Sequence, residues 1–386
     1  MTAPAETTCA SNSRSRSRSR ATSCGRIDPI FRGEIQMNDM TMNRRAMIGA
    51  LATGAGIAAM GLPTAAGAQG CRTAAVPAAR LDQVVQGAQQ RYAGLAEGAN
   101  ADYIPALAQV PSTLFGVSLV GSDGRIHAAG DSEQVFSIQS ISKVINAALV
   151  MNESGDQRII DSVGVDATGQ VFNSITAVEQ YRGREMNPLV NPGAIATVGN
   201  IQGGSPEEVW NKILGMHSAF AGRQLEVNQP VYQSEAATNQ RNRAISALMS
   251  AYERFTMDPA VAVDLYTRAC SINVSARDLS VMGATLAFGG RNPVTQRQVI
   301  ERSHVPGLLA IMATAGMYDD SGKWLFRTGL PTKSGVGGGL MAVAPGRFGI
   351  GTFAPPLDAA GNSVRGQRAI TDIVRDLDCN PYAQFG

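Results

Sequence analysis

The sequence has few lysines, histidines and aromatic residues. Its 386 residues include four lysines and three histidines, and aromatic residues make up 5% of the chain. The formal net charge of +2 lacks the basic excess that binding to a polyanion requires. So few aromatic side chains also argue against a surface on which nucleobases stack. We therefore expect no nucleic-acid partner, whereas the hydrophobic share of 44% is that of a globular protein.

The sequence also lacks the common metal-binding motifs. Its five cysteines form no CxxC pair, no histidine stands near them at zinc-ligand spacing, and HExxH is absent. We therefore expect no metal ion. A disulfide between Cys71 and Cys379 is compatible with an oxidising compartment, but spacing alone does not establish it, and the pairing of Cys270 is equally open.

The first part of the chain is predicted to lie outside the fold. Residues 13–20 read SRSRSRSR, and such a run of like charges cannot bury a core, so we interpret residues 1–41 as a disordered or wrongly assigned extension. Arg44 and Arg45 precede a long uncharged stretch of mainly alanine and glycine, which ends in the AxA-type cleavage site 66–68. Residues 42–68 are therefore predicted to form a twin-arginine-type export signal.

This signal predicts a periplasmic or secreted protein, or a cytoplasmic one if the signal is not functional. The uncharged stretch is long enough to cross a membrane, but it is rich in glycine and alanine and poor in leucine, so its insertion energy is weak. We expect no stable membrane anchor. The true translation start and the cleavage site stay open.

Strand patterns stand at both ends of the remaining chain, with helical patterns between them. Strands are predicted over 114–120, 125–129, 134–138, 338–344 and 348–353 and near Ser363, and terminal helices over 78–101 and 370–377. Helical periodicity dominates from 152 to 327. The sequence therefore predicts an α/β (α+β) fold over 78–386. One antiparallel sheet (about 78–140 and 328–386) is flanked by terminal helices, with an inserted all-α part over about 141–327.

The motif SxxK begins where a predicted strand meets a helix. Three residues separate Ser140 from Lys143, so the two side chains share one face of the helix. The free N–H groups and the positive dipole end of a helix N-terminus favour a serine that becomes an alkoxide. Lys143 can act as a base only when neutral, and burial would lower its pKa toward that state.

A second element supports this interpretation. The segment Lys333-Ser334-Gly335 is predicted to open a strand that continues through residues 336–339. A KSG or KTG strand beside an SxxK helix is the arrangement of penicillin-recognising serine enzymes. The two motifs use two of the four lysines in the chain.

Further motifs carry a more specific resemblance over residues 103–366. In chain order they are DYIP, FSIQSISK, NPLVNPGAI, YQSEAATNQRNRA, CSINV, GMYDDSGKW, LPTKSGVGGG and PPLDAAGNSVRG. With these motifs the sequence resembles the bacterial and mitochondrial-type glutaminases, which share the β-lactamase/transpeptidase-like fold. The resemblance implies hydrolysis of L-glutamine to L-glutamate and ammonia, no cofactor, and a homodimer or homotetramer.

The resemblance also implies a role for each matching residue. Ser140 is the nucleophile, Lys143 is its base partner, and Tyr266 and Tyr318 lie near the serine, where a phenol passes the proton to departing ammonia. The backbone N–H groups of Ser140 and Val336 stabilise the oxyanion. The substrate-binding set implied in this way is Tyr103, Ser140, Asn191, Glu235, Asn242, Tyr266, Tyr318 and Val336.

The residue types suit the two ends of a free amino acid. Glu235 can accept a charge-assisted hydrogen bond from an ammonium group, and the amides of Asn191 and Asn242 can donate to a carboxylate. Gly193 is predicted to form a tight turn that aims Asn191. The preceding Pro192 departs from the alanine of many relatives, and it fixes φ and removes an N–H.

Two rival functions stay open at this point. A β-lactamase or peptidoglycan peptidase of the same fold would suit an exported protein, and Ser271-Ile272-Asn273 could supply its SxN element. A non-catalytic amino-acid binder would keep the pocket but would need neither Ser140 nor Lys143. Activation by phosphate and discrimination against asparagine are also open, because one methylene changes binding by only ~1–3 kcal/mol.

Overall fold

We describe the fold from a computed structural model, which describes residues 76–184 and 186–383. The predicted N-terminal extension, the predicted export signal and Cys71 lie outside the described residues. Cys379 is buried, and its pairing with Cys71 stays an open question.

The described residues form seven strands, fourteen α-helices and three short 3-10 turns. The strands are β1 (Gly116–Val120), β2 (Ile126–Gly130), β3 (Phe136–Ser137), β4 (Asn273–Val274), β5 (Thr332–Gly335), β6 (Gly339–Ala344) and β7 (Phe348–Phe353). The first seven helices are α1 (Ala78–Tyr92), α2 (Pro105–Ala108), α3 (Ser142–Ser154), α4 (Asp156–Ser162), α5 (Ile175–Tyr181), α6 (Asn191–Gly199) and α7 (Pro206–Ala221). The others are α8 (Gln229–Thr238), α9 (Gln240–Ala251), α10 (Pro259–Cys270), α11 (Ala276–Ala287), α12 (Val305–Ala315), α13 (Ser321–Thr328) and α14 (Val364–Asp376). The 3-10 turns are Gln139–Ile141, Arg302–His304 and Tyr318–Asp320.

Strands from both ends of the chain form one sheet. The order is β2-β1-β7-β6-β5, and each neighbouring pair is antiparallel. Tight turns join β1 to β2 and β6 to β7, as short connections between antiparallel strands require. The predicted antiparallel sheet and the mixed fold class are therefore confirmed. Strands β3 and β4 pair in a second, two-stranded antiparallel sheet. Strand β3 therefore lies outside the predicted single sheet, and the part over about 141–327 is not all-α, because it contains β4.

Helices cover both faces of this sheet. The terminal helices α1 and α14 pack on one face, and α11, which comes from the helical part of the chain, packs on the other. Strand β7 shows why α11 can approach so closely. A Cβ added to Gly349 would lie 2.0 Å from the backbone nitrogen of Ala284, and one added to Gly351 would lie 2.1 Å from the carbonyl oxygen of Ala276. Glycine at alternate positions of β7 therefore leaves room for α11, while Phe348 and Ile350 point into the hydrophobic core on the other face of the sheet.

Four further details differ from the sequence-based expectations. Helix α1 ends at Tyr92 rather than near 101, and Gly94 and Gly98 follow it, the latter at φ +93°. No strand forms at Ser363, whose hydroxyl instead accepts from Gly366 and caps α14. That helix begins at Val364, six residues before the predicted start. Strand β5 ends at Gly335 rather than continuing to 339, because residues 336–338 turn the chain into β6.

The helical part packs around α3, the helix that follows the nucleophile motif. Its contacts include α4, α6, α7 and α12, and its buried face joins the largest hydrophobic core of the described residues. The whole first turn and a half of α3, from Ser142 through Ala147, is buried. Within the described ranges, no helix is long and apolar enough to cross a bilayer.

Candidate active site

The site is built where the 3-10 turn Gln139–Ile141 runs into α3. Ser140 lies in that turn and is 7% exposed, and Lys143 lies in the first turn of α3 and is 1% exposed. The Nζ atom of Lys143 lies 2.5 Å from Oγ of Ser140. The predicted serine and lysine are therefore in direct contact at the N-terminus of a buried helix.

Burial also sets the charge state of Lys143. Desolvation lowers the pKa of this amine, and its interactions with Cys270 and Glu235 oppose the shift. Among the described residues no carboxylate lies within 4.0 Å of Nζ, so no ion pair holds the proton on it. A lysine in this environment is suited to accept a proton from a hydroxyl.

Strand β5 and the turn after it lie directly against the nucleophile turn. A Cβ added to Gly335 would lie 2.7 Å from the carbonyl oxygen of Ile138, and one added to Gly337 would lie 2.8 Å from that of Ser137. Only glycine allows this approach. Between these two glycines stands Val336, which lines the same pocket as Ser140.

Three polar side chains from three helices form a hydrogen-bonded chain beside the serine. The hydroxyl of Tyr266 donates to Oδ1 of Asn191 at 3.2 Å, and the Nδ2 atom of Asn191 donates to Oδ1 of Asn242 at 3.1 Å. Burial raises the pKa of Tyr266 well above its ordinary value, so the phenol keeps its proton. The ring centre of Tyr266 lies 5.3 Å from Nζ of Lys143, which places this chain next to the nucleophile.

Asn191 is aimed by the start of α6 rather than by a separate turn. The helix begins at Asn191, and a Cβ on Gly193 would lie 2.0 Å from the carbonyl oxygen of Asn187. The predicted tight turn at Gly193 is therefore wrong, and the glycine instead permits close packing of the first helical turn. Pro192 costs no intrahelical hydrogen bond there, because the first four N–H groups of a helix have no intrahelical acceptor.

Glu235 lies on α8 and is 8% exposed. Its Oε2 atom accepts a hydrogen bond from Nε2 of Gln139 at 3.3 Å. Burial raises the pKa of Glu235 to about 7, and the Gln139 hydrogen bond and the charge of Lys143 oppose that rise. A carboxylate that is costly to ionise when alone is stabilised by an incoming cation.

These residues line a pocket of about 250 Å³. The implied substrate-binding residues on its wall are Tyr103, Ser140, Asn191, Glu235, Asn242, Tyr266 and Val336. Tyr103 stands at the rim and is 57% exposed. The volume lies below the range of drug-sized ligands, so the pocket suits a small molecule such as a free amino acid.

Tyr318, the eighth residue of the implied substrate-binding set, does not line this pocket. Its hydroxyl donates to the carbonyl oxygen of Ser334 at 3.3 Å. Burial raises the pKa of this phenol, and its interactions with Ser140 and Ser334 oppose the rise. Its ring centre lies 5.0 Å from that of Phe172. Tyr318 therefore lies against strand β5 and Phe172 rather than on the wall of the pocket that holds Glu235.

The SxN element of the rival interpretation does not reach the pocket. The hydroxyl of Ser271 donates to the carbonyl oxygen of Thr267 at 2.9 Å, and the side-chain oxygen of Asn273 accepts from Asn228 at 3.0 Å. Neither residue lines the wall around Ser140. Tyr266, rather than an SxN serine, stands beside Lys143.

Sequence reasoning missed several residues at this site. Gln139 holds the carboxylate of Glu235 from an unusual backbone conformation, with φ +51°, and its position next to Ser140 was the available signal. Phe172 lines the pocket from a loop without a periodic pattern. Cys270 lies 3.6 Å from the hydroxyl of Ser142, and burial raises the pKa of its thiol to about 11, so it is not a competing thiolate.

The fold and the contact of Ser140 with Lys143 define a β-lactamase-like protein with a serine–lysine pair. A family model described as Glutaminase matches residues 98–382. A glutaminase of Colwellia psychrerythraea is 46% identical over 302 residues, which cover 78% of this chain and 97% of that protein. Glutaminase 2 of Yersinia pestis is 48% identical over 300 residues, which cover 78% of this chain and 88% of that protein.

Solved structures agree. The probable glutaminase ybaS superposes with a TM-score of 0.79 at 44% identity, covering 80% of this chain and all (100%) of that one. A probable glutaminase from Bacillus subtilis, complexed with 6-diazo-5-oxo-L-norleucine, has a TM-score of 0.71 at 28% identity, covering 78% and 96%. The chain therefore belongs to the glutaminase family.

Proposed function

We propose that the protein hydrolyses L-glutamine to L-glutamate and ammonia through a γ-glutamyl ester on Ser140. One observation carries this proposal: Nζ of Lys143 lies 2.5 Å from Oγ of Ser140, and Ser140 lines a pocket that also holds the buried carboxylate of Glu235. The serine supplies a nucleophile, the lysine supplies its base, and Glu235 supplies a counter-charge for an amino acid.

In the first step Lys143 takes the proton of Ser140, and Oγ attacks the side-chain amide carbon of glutamine. The backbone N–H groups of Ser140 and Val336 stabilise the oxyanion that forms. The C–N bond then breaks as a proton from Lys143 reaches the nitrogen, with the phenol of Tyr318 as relay. The products of this step are ammonia and the ester on Ser140.

In the second step a water molecule attacks the ester carbon while Lys143 takes its proton. The bond between the acyl carbon and Oγ breaks, and the proton returns to Ser140. Glutamate leaves with the new oxygen in its γ-carboxylate. The same amine therefore acts as base and then as acid in each half of the cycle.

The amino-acid end is held away from the reacting bond. The substrate ammonium lies against the carboxylate of Glu235, which replaces part of the hydration both groups lose. The amides of Asn191 and Asn242 and the rim residue Tyr103 hold the α-carboxylate as uncharged donors. Tyr266 orients Asn191 through the hydrogen bond described above.

Assays on three substrates test the proposed reaction. The purified protein is expected to release ammonia from glutamine, to act more slowly on asparagine by roughly 10- to 200-fold because one methylene is missing, and to leave nitrocefin intact. Rapid acylation of Ser140 by penicillin, with no ammonia from glutamine, would favour the peptidase or β-lactamase alternative. Tight binding of glutamine without turnover would favour a non-catalytic binder.

A pH profile tests the role of Glu235. The pKa of Glu235 in the free protein is about 7, and only the carboxylate attracts the substrate ammonium. We therefore expect kcat/KM for glutamine to rise with pH up to about 7. Above that pH Glu235 is ionised and should cause no further rise. Glu235→Gln should lower kcat/KM by about 100-fold, mainly through KM, and remove that limb of the profile.

The matched control is Glu226→Gln, which changes an exposed glutamate outside the pocket and should leave the profile unchanged. A Glu235→Gln variant with the wild-type KM would contradict the assignment of the ammonium site.

We also propose export of the protein by the twin-arginine-type signal at 42–68, and assembly into a homodimer or homotetramer. The paired arginines and the AxA site support export. The mass of the protein recovered from the periplasm tests export and cleavage. The scattering mass in solution tests assembly. A recovered protein that retains residues 42–68 would contradict cleavage, and a monomeric scattering mass would contradict assembly.

A further inference from the structure

Lys333 has no role in the steps above, although it is completely buried beside them. Its relative exposure is 0%. Its Nζ atom donates to the carbonyl oxygen of Ser334 at 2.7 Å and to that of Gly316 at 3.2 Å, and it lies 4.4 Å from the ring centre of Tyr318. A lysine so deep in the protein is rare, because burial of its charge is costly.

The surroundings of Lys333 contain no compensating acid. Among the described residues no carboxylate lies within 4.0 Å of its Nζ atom. Desolvation, followed by the charge of Lys143, lowers its pKa well below the ordinary value. A neutral amine has two N–H groups, and two carbonyl oxygens accept from it here. Both N–H groups of an uncharged Lys333 therefore have a hydrogen-bond acceptor.

Tyr318, the neighbour of Lys333, has a strained backbone. Its φ is +52°, in the left-handed region that a non-glycine residue rarely adopts. Such a conformation persists only when its surroundings hold it. The hydroxyl of Ser321 donates to the carbonyl oxygen of Tyr318 at 2.8 Å, and the phenol donates to the carbonyl oxygen of Ser334.

Lys333 contacts both the phenol of Tyr318 and the backbone that leads to it. It shares the Ser334 carbonyl oxygen with the phenol, contacts the ring face, and reaches back to Gly316, two residues before Tyr318. The backbone is close-packed at that point, since a Cβ on Gly316 would lie 1.8 Å from the carbonyl oxygen of Thr332. Lys333 therefore ties the turn that carries Tyr318 to strand β5.

We infer that Lys333 is a positioning residue that holds the phenol of Tyr318 against the Ser334 carbonyl oxygen, next to the nucleophile turn, so that the phenol can pass a proton to departing ammonia. This inference rests on the proposed role of Tyr318. Lys333 does not line the pocket that holds the amino-acid end of the substrate. Its loss should therefore slow C–N cleavage without weakening the binding of glutamine.

The test compares two leaving groups. Glutamine needs a proton on its nitrogen before the C–N bond breaks, whereas the S-methyl γ-thioester of glutamate releases a thiolate that needs none. Lys333→Met should lower kcat for glutamine by about 100-fold, the lower range for general acid catalysis, with KM within about threefold of wild type. The rate of thiol release from the thioester should change by less than about fivefold.

Companion variants separate positioning from folding. Tyr318→Phe should show the same leaving-group pattern, and the double variant should lose no more than Tyr318→Phe alone, since both act on one step. Lys333→Gln keeps an N–H donor toward Ser334 and should recover about tenfold of the loss. Lys323→Met, which removes a lysine that is 65% exposed, should have no effect.

The outcomes separate the positioning role of Lys333 from the proposed proton relay through Tyr318. Equal loss on amide and thioester in both Lys333→Met and Lys333→Gln would overturn the inference, because a structural defect lowers both rates together. A selective loss in Tyr318→Phe without one in Lys333→Met would also overturn it, while leaving the proton relay intact. If Tyr318→Phe shows no selective loss, the proposed relay itself fails.

Discussion

Replacement of Ser140 by alanine should abolish ammonia release from glutamine, with kcat lower by at least about 10⁴-fold. The nearby thiol of Cys270 cannot replace this nucleophile, because burial raises its pKa to about 11 and keeps it protonated. The change removes one oxygen from a buried turn, so the protein should stay folded. Glutamine should still bind within about threefold of the wild-type Kd, because the residues that hold its amino-acid end are intact.

Ser142→Ala is the matched control for this variant. Ser142 is a second buried serine, two residues further along, whose hydroxyl donates to the carbonyl oxygen of Gln139 at 2.8 Å. Its replacement should retain at least about a tenth of the activity, the cost of one neutral hydrogen bond. Ammonia release by folded Ser140→Ala at more than a hundredth of the wild-type rate would contradict a nucleophilic role for Ser140.

Lys143→Arg should be nearly as inactive as Ser140→Ala, although arginine keeps a donor and a positive charge next to the serine. A guanidinium cannot lose its proton at accessible pH, so it cannot accept one from the hydroxyl. Loss of the base should lower kcat by about 10³-fold or more. Steady-state ammonia release, with circular dichroism to verify folding, measures the effect.

The arginine substitution distinguishes two roles for the buried amine. If Lys143 acted only as a positive charge near the oxyanion, Lys143→Arg would retain more than about a tenth of the activity and Lys143→Met would not. If Lys143 is the base, both variants fail. In that case methylamine added to Lys143→Ala should restore part of the rate, because the small amine can occupy the space that the side chain leaves.

The fold class could be predicted because its main signals are local. Short β-prone apolar runs bounded by turn residues indicated the strands, and the SxxK motif marked the junction of β3 with α3. Helix ends were harder, since α14 begins six residues earlier than its hydrophobic pattern indicated, at a serine cap. The end of α1 was predicted too far along the chain, because apolar spacing alone does not show the glycines that end a helix.

The site shows a similar limit. The pairing of Ser140 with Lys143 follows from helical spacing, and the pocket residues came from motifs rather than from physical reasoning on each one. The conformations of Gln139 and Tyr318 could not be predicted, because a positive φ at a non-glycine residue is imposed by tertiary contacts. The two carbonyl partners of Lys333 come from residues 1 and 17 positions away, and only the folded chain brings the distant one close.

The most direct test of a covalent mechanism on Ser140 is peptide mapping after reaction with 6-diazo-5-oxo-L-norleucine, a diazo ketone with the shape of glutamine. A nucleophile that attacks the glutamine side chain should be alkylated by this compound. We expect one adduct per chain, on the peptide that contains Ser140, formed in parallel with the loss of ammonia release and prevented by excess glutamate. Complete inactivation with the adduct on Cys270 or any other residue, and Ser140 unmodified, would contradict it.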